Sequence, residues 1–229
     1  MADFVLEKRL WTEKDFEQMG WHDATVYGLR LDKDLELDID YILRWNEPDL
    51  EGFPYTFWVA PATLVFKNIK NLKFEVETAC DHGVEIEDIV RTPEGPAHHW
   101  SIMTNQGDVE FDADGYEQFI RQEPSLEYGP NISLIDRRGF SLERTTNQEI
   151  PCGVRDEIAA RRKKDAEHYE TAKRRHLKRQ EKERLDKARY NNEIALKPYL
   201  LKKREIQEML DHYDGLLKGT RFERWSRDA

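Results

Sequence analysis

Leu35-Glu36-Leu37-Asp38-Ile39-Asp40-Tyr41-Ile42-Leu43 is the stretch on which the fold turns. Apolar side chains at 35, 37, 39, 41 and 43 alternate with acids at 36, 38 and 40. A period of two places one set on each face of an extended chain, so the segment reads as a half-buried strand. Upstream, Tyr27, Leu29 and Leu31 continue the apolar face, and Lys33-Asp34 offers a turn. The pair predicts an antiparallel hairpin with a core face and an acidic, solvated face.

Outward from the hairpin the strand signals continue. Phe57-Trp58-Val59-Ala60-Pro61-Ala62-Thr63-Leu64-Val65-Phe66 is apolar on both faces, which predicts a doubly covered strand with a bulge or an edge at Pro61. Leu72, Phe74 and Val76 alternate with Lys73, Glu75 and Glu77. Segments 99–104 and 108–112 flank Asn105-Gln106-Gly107, a three-residue loop with a glycine for the left-handed position. Phe4-Val5-Leu6, Ile132 to Ile135 and Phe140 to Leu142 are shorter strand candidates, and Tyr116 to Ile120 is strand or short helix. Thr12-Glu13-Lys14-Asp15 carries a helix-start signature, with Gly20 to end it.

The chain has 229 residues and a net charge of -10, divided unevenly. Residues 1–150 hold 14 Lys and Arg against 31 Asp and Glu, or -17; residues 151–229 hold 22 against 15, or +7. All but one of the Trp residues and all but one of the Phe residues precede Pro151. From Val154 to Leu196 there is no Pro or Gly, and Glu157 with Arg161, Glu170 with Arg174 and Glu183 with Lys187 are spaced as helical ion pairs. The apolar stripe of Ile158, Tyr169, Leu177, Leu185 and Ile194 is too irregular for a heptad seam. A second helix with a stronger apolar face follows a break near 197–198. The reading is α+β: an antiparallel β-rich domain over 1–150 (meander, sandwich or partly open barrel), then a basic two-helix extension over 151–229.

Composition narrows function by exclusion. No apolar run approaches the ~20 residues that span a bilayer. The first eight residues carry acids where a signal peptide is basic and apolar, which predicts a cytoplasmic protein. Cys80 and Cys152 form neither a disulfide framework nor a zinc motif.

Several constellations invite chemistry. Trp21-His22-Asp23 could orient an imidazole, yet no nucleophile motif accompanies it. Asp32, Asp34, Glu36, Asp38 and Asp40 would bind a cation only by converging, and alternate residues of a strand stand ~6–7 Å apart and parallel. Glu110, Asp112, Asp114 and Gly115 begin like a calcium loop, but Arg121 occupies the position of its bidentate glutamate. His98 and His99 face opposite ways on a strand. No catalytic residue, metal site or cofactor is assigned.

The expected function is a non-enzymatic protein-binding module with a basic partner. Asp32, Glu36, Asp38 and Asp40 are its contact charges, and Trp45, Phe53 and Tyr55 its aromatic anchors. The alternative is a nucleic-acid-associated protein holding phosphates with Arg161, Arg162, Lys163, Lys164, Arg174, Arg175, Lys178 and Arg179. A third reading is a metal-dependent enzyme using His22, Asp23 and the acidic strand. Self-association through the C-terminal helices is compatible with each.

At Met19-Gly20-Trp21-His22-Asp23, residues 37–42 and residues 57–66, the sequence resembles an uncharacterised family of bacterial proteins of unknown function. The resemblance covers about residues 10–92 and implies no activity. In its acidic β-rich character the chain also loosely resembles the immunity proteins of bacterial toxin systems, which implies an immunity- or antitoxin-like role with a toxin or nuclease as target.

Overall fold

A computed structural model of the chain describes residues 4–76, 83–94 and 97–225; Glu77 and Cys80 lie outside the described residues. The chain divides into two compact units, residues 1–46 with 55–149, and residues 47–54 with 150–229.

The first unit is built on one antiparallel sheet of ten strands among the described residues. They are β1 (Leu10–Thr12), β2 (Ala24–Leu31), β3 (Leu35–Asn46), β4 (Thr56–Phe66), β5 (Lys70–Val76), β6 (Val84–Glu94), β7 (Ala97–Thr104), β8 (Gly107–Ala113), β9 (Tyr116–Ile120) and β10 (Ser125–Glu127). Their order is β1-β9-β4-β3-β2-β6-β7-β8-β5, with β10 extending the partner side of β4 beyond β9. The sheet curls strongly. Phe66 of β4 meets Trp100 of β7 at 5.1 Å and Phe111 of β8 at 4.8 Å, although several strands separate them along the sheet. Leu35, Leu37, Ile39 and Tyr41 face this interior, and a 3-10 helix over Glu13–Gln18 brings Phe16 against Trp21, Trp100 and Tyr116. Asp15 caps that helix by accepting from the Thr12 amide at 2.8 Å.

Pro61 sits in a central strand, with no bulge of β4 around it. Its carbonyl accepts from Arg121 N at 2.9 Å, so its ring nitrogen faces the gap where β9 ends and β10 has not begun, and no ladder donor is lost. The bulge falls in β3 between Ile42 and Arg44 instead. Strand β6 was not signalled by a clean alternation, and Phe4 to Leu6 is not a strand. The β7–β8 hairpin closes with Thr104 opposite Gly107, so its loop is two residues, not three. The segment read as two short strands is a four-residue helix, α1 (Leu134–Arg137), capped by Ser133, followed by irregular chain through Phe140 to Leu142. Polar positions 133, 136, 137 and 138 end any alternation there.

The second unit contains α2 (Cys152–Tyr190) and α3 (Leu196–Leu217). The break comes at Asn191-Asn192, where Asn192 takes φ 61°, ahead of the expected 197–198. Pro198 lies in the first turn of α3, where its missing N–H has no intrahelical acceptor to lose. Leu185 packs on Ile206 and Leu210, with Ile194 and Tyr199 alongside. Residues 47–54, which the sequence pattern left within the acidic half, belong to this unit. There Phe53 packs its ring against Tyr169, His176 and Trp225. Lys173 donates to Asp49 at 2.7 Å, and His176 meets the Glu51 carbonyl at 2.9 Å.

Candidate functional site

The acidic face of β3 is not solvated. Glu36, Asp38 and Asp40 are buried, the two aspartates completely. A bulge in β2 prepares this: Val26 pairs with Ile39 and Gly28 with Asp38, leaving Tyr27 as the extra residue. Tyr27 therefore turns away from the face it was expected to share with Leu29, and its hydroxyl donates to Asp40 Oδ2 at 2.9 Å. At Gly28 the Phe140 ring lies over the strand so closely that a Cβ would stand 1.9 Å from it.

Two guanidinium groups neutralise the aspartates. Arg137 Nη2 and Nη1 grip Asp38 Oδ1 and Oδ2 at 2.7 and 2.9 Å, and its Nε reaches Asp40 Oδ1 at 3.2 Å. Arg121 Nη2 donates to Asp38 Oδ1 at 2.6 Å, while its Nη1 reaches Thr63 Oγ1 and the Ser141 carbonyl at 2.7 and 2.8 Å. The amides of Ser141 and Ile132 complete the carboxylates, donating to Asp38 Oδ2 at 2.9 Å and Asp40 Oδ2 at 2.7 Å. The Arg137 guanidinium also stacks 3.7 Å above the Tyr27 ring. Burial pushes the Asp40 carboxyl above its ordinary pKa despite the pull of Arg137. Burial likewise lowers Arg121, whereas for Arg137 the hydrogen bonds to Asp38 and the charge of Asp40 outweigh burial and raise it. Every carboxylate oxygen of the pair is already engaged, so the cluster clamps residues 132–141 onto the sheet and presents no acid or base to a substrate.

At the margin of this cluster Arg144 bridges Asp34 and Glu36, at 2.6 Å to each. Burial works to raise both carboxyls, but hydrogen bonds, from Asn68 and Arg144 to Asp34 and from Arg30 and Arg144 to Glu36, hold both below their ordinary values.

The remaining predicted residues separate into three places. Asp32 is exposed at the β2–β3 turn, and Phe53 is buried in the helical unit. Trp45 and Tyr55 stay together on the surface of the sheet unit, 43% and 44% exposed, with ring centroids 6.0 Å apart. The strand ends of β3 and β4 position them, and Phe57 supports Trp45 edge-on at 5.0 Å. His22 stacks on Trp45 at 6.2 Å with an 18° interplanar angle, a neighbour the sequence did not connect. Its Nδ1 lies 3.0 Å from the Glu87 carbonyl, which together with the charges of Asp23 and Asp88 raises its pKa. Glu87 and Asp88 are exposed and their charges act on His22, so acids border the imidazole end of the patch. His22 and Asp23 thus belong to the aromatic patch, while Asp38 and Asp40 belong to the buried clamp. Among the described residues no three His, Cys, Asp or Glu side chains converge as a metal would require.

On α2, Lys163, Lys164 and Arg174 are exposed. Arg175 is buried, held by Asp214 at 2.8 Å and by the carbonyls of Phe222, Glu223 and Trp225, which removes it from any phosphate-binding surface. Lys178 pairs with Glu181 at 2.7 Å and Arg179 with Asp214 at 3.8 Å. The unit's basic charge is therefore partly internal.

No protein-family model matches the chain, and no curated protein matches it. It is similar to the crystal structure of an uncharacterized protein from Neisseria gonorrhoeae at 11% identity and a TM-score of 0.29, over 48% of this chain and 97% of that one. No helix among the described residues is long and apolar enough to cross a membrane.

Three outcomes follow from the ion pairs. Arg137→Ala leaves Asp38 and Asp40 buried without their principal counterion and should cost about 3–5 kcal/mol in urea unfolding. Arg137→Lys should recover little of that, because one ammonium cannot replace a fork that spans two carboxylates. The stabilisation from the depressed Asp34 and Glu36 is complete above the ordinary carboxylate pKa and drains away as pH falls through their lower folded values. Arg144→Ala should therefore move the acid-unfolding midpoint to higher pH, while at pH 7 this half-exposed group changes stability by no more than ~1 kcal/mol.

Proposed function

We propose that this protein is a non-enzymatic binding module whose partner is a basic protein. The observation that carries the reading is the exposed triad of His22, Trp45 and Tyr55, with Asp23, Glu87 and Asp88 around its His22 end. Tyr and Trp bring large contact area at low entropic cost and dominate binding hot spots. A neighbouring acidic rim steers an Arg- or Lys-rich surface and can seat its cations over the ring faces. The excess of 17 negative charges over residues 1–150 extends that steering beyond the patch. A toxin or nuclease is the class of basic protein such a module would neutralise. In the helical unit Leu200, Leu201 and Leu216 of α3 are exposed and provide a second contact surface.

The contact charges assigned to Glu36, Asp38 and Asp40 pass in this reading to Glu87 and Asp88, because the former are consumed within the fold. Pull-down with the full chain should recover a basic protein. Trp45→Ala/Tyr55→Ala should reduce recovery at least tenfold with unchanged circular dichroism, and Glu87→Lys/Asp88→Lys should weaken it most at low salt. Equal recovery by wild type and both variants would remove the patch from the proposal.

A further inference from the structure

The curled sheet leaves an apolar cavity of 290 Å³ where β2 parts from β6 and Phe74 of β5 stands opposite. Strand β2 pairs with β6 only over Ala24 to Val26, while among the described residues β5 pairs with β8 alone. The hydrogen bond from Ile69 N to the Lys33 carbonyl sets the start of β5 at the β2–β3 turn, so the two strands border one opening. Val26, Leu29, Leu37, Phe74, Ile102 and Val109 line it.

We infer that this cavity is a binding site for a small apolar ligand: a monocyclic aromatic or the hydrocarbon end of an amphiphile. A concave space with apolar walls and an opening to solvent is the usual form of a small-molecule site. A cavity of about 150 Å³ with similar lining takes up benzene, and this one is roughly twice as large. It falls near the lower end of the range for small-molecule pockets.

The lining chemistry sets the ligand class. Among the described residues no charged side chain borders the space. The Tyr27 hydroxyl is committed to Asp40, and the Thr104 hydroxyl donates to the Gly107 carbonyl at 2.6 Å and accepts from Gln106 N at 3.1 Å. A charged group would lie there unpaired, so a polar head must remain at the mouth. Of the lining residues, Leu29 and Phe74 are each more than two-fifths exposed, an apolar lip that leads inward from solvent.

Toluene and decanol are the probes, titrated into the full chain while methyl NMR shifts and the thermal midpoint are followed. Saturable shifts confined to Val26, Leu29, Leu37, Ile102 and Val109, with a raised midpoint, are expected. Val109→Phe, which fills the space, should weaken toluene binding at least tenfold. Leu29→Trp, placed at the exposed lip where folding is insensitive to bulk, should do the same if Val109→Phe does not fold. Absence of shifts at the solubility limit, shifts elsewhere, or undiminished binding by the occluded variants would overturn the inference. So would self-association that the occluded variants abolish without any probe binding, which would give the cavity to a second copy.

Discussion

The sheet unit depends on the contact between Arg137 and the carboxylates of Asp38 and Asp40. All three side chains are withdrawn from water, a step that ordinarily costs more than the mutual attraction returns. Here the cost is offset by saturation: the Arg137 fork spans two carboxylates, Arg121 adds a second cation, and the Ile132 and Ser141 amides and Tyr27 hydroxyl take the remaining acceptor positions. The consequence is topological. A chain segment with no strand partner of its own is tied across the outer face of β2 and β3, and that face becomes interior.

The same constraint sorts the acids of the unit by role. Those on the middle of β3 serve the fold, whereas Glu87 and Asp88 of β6 remain at the surface. In the proposed binding role the contact acids are therefore Glu87 and Asp88, whose charges reach the His22 end of the aromatic patch. The curling that joins Phe66 to Trp100 and Phe111 also opens the gap between β2 and β5. Patch and cavity are thus two separate products of one curved sheet.

Much of the architecture was legible in the sequence. Leu35, Leu37 and Ile39 do face the core, the hairpin turn is at Lys33-Asp34, and long charged helices follow the sheet, because periodicity reports directly on one-sided burial. What alternation cannot report is whether the polar face meets water or a counterion. Arg121 and Arg137 lie 83 and 99 residues from Asp38, and nothing local marks them as its partners. A signal existed in the chemistry: three acids in alternate positions repel one another unless cations are supplied. The bulge that turns Tyr27 outward, the stacking of His22 on Trp45 and the retention of Arg175 by three carbonyls are tertiary facts of the same kind. Phe53 illustrates the limit from the other side, since an aromatic residue in a loop reads equally as anchor or as core.

Native-state hydrogen exchange at the amides of Ile132 and Ser141 tests the clamp most directly, because each donates to a buried aspartate from irregular chain. The account predicts that both exchange only through openings of nearly the free energy that protects the central amides of β3 and β4. Exchange at the rate of an unprotected loop would contradict it, and would return Asp38 and Asp40 to the solvent-facing role that alternation alone suggests.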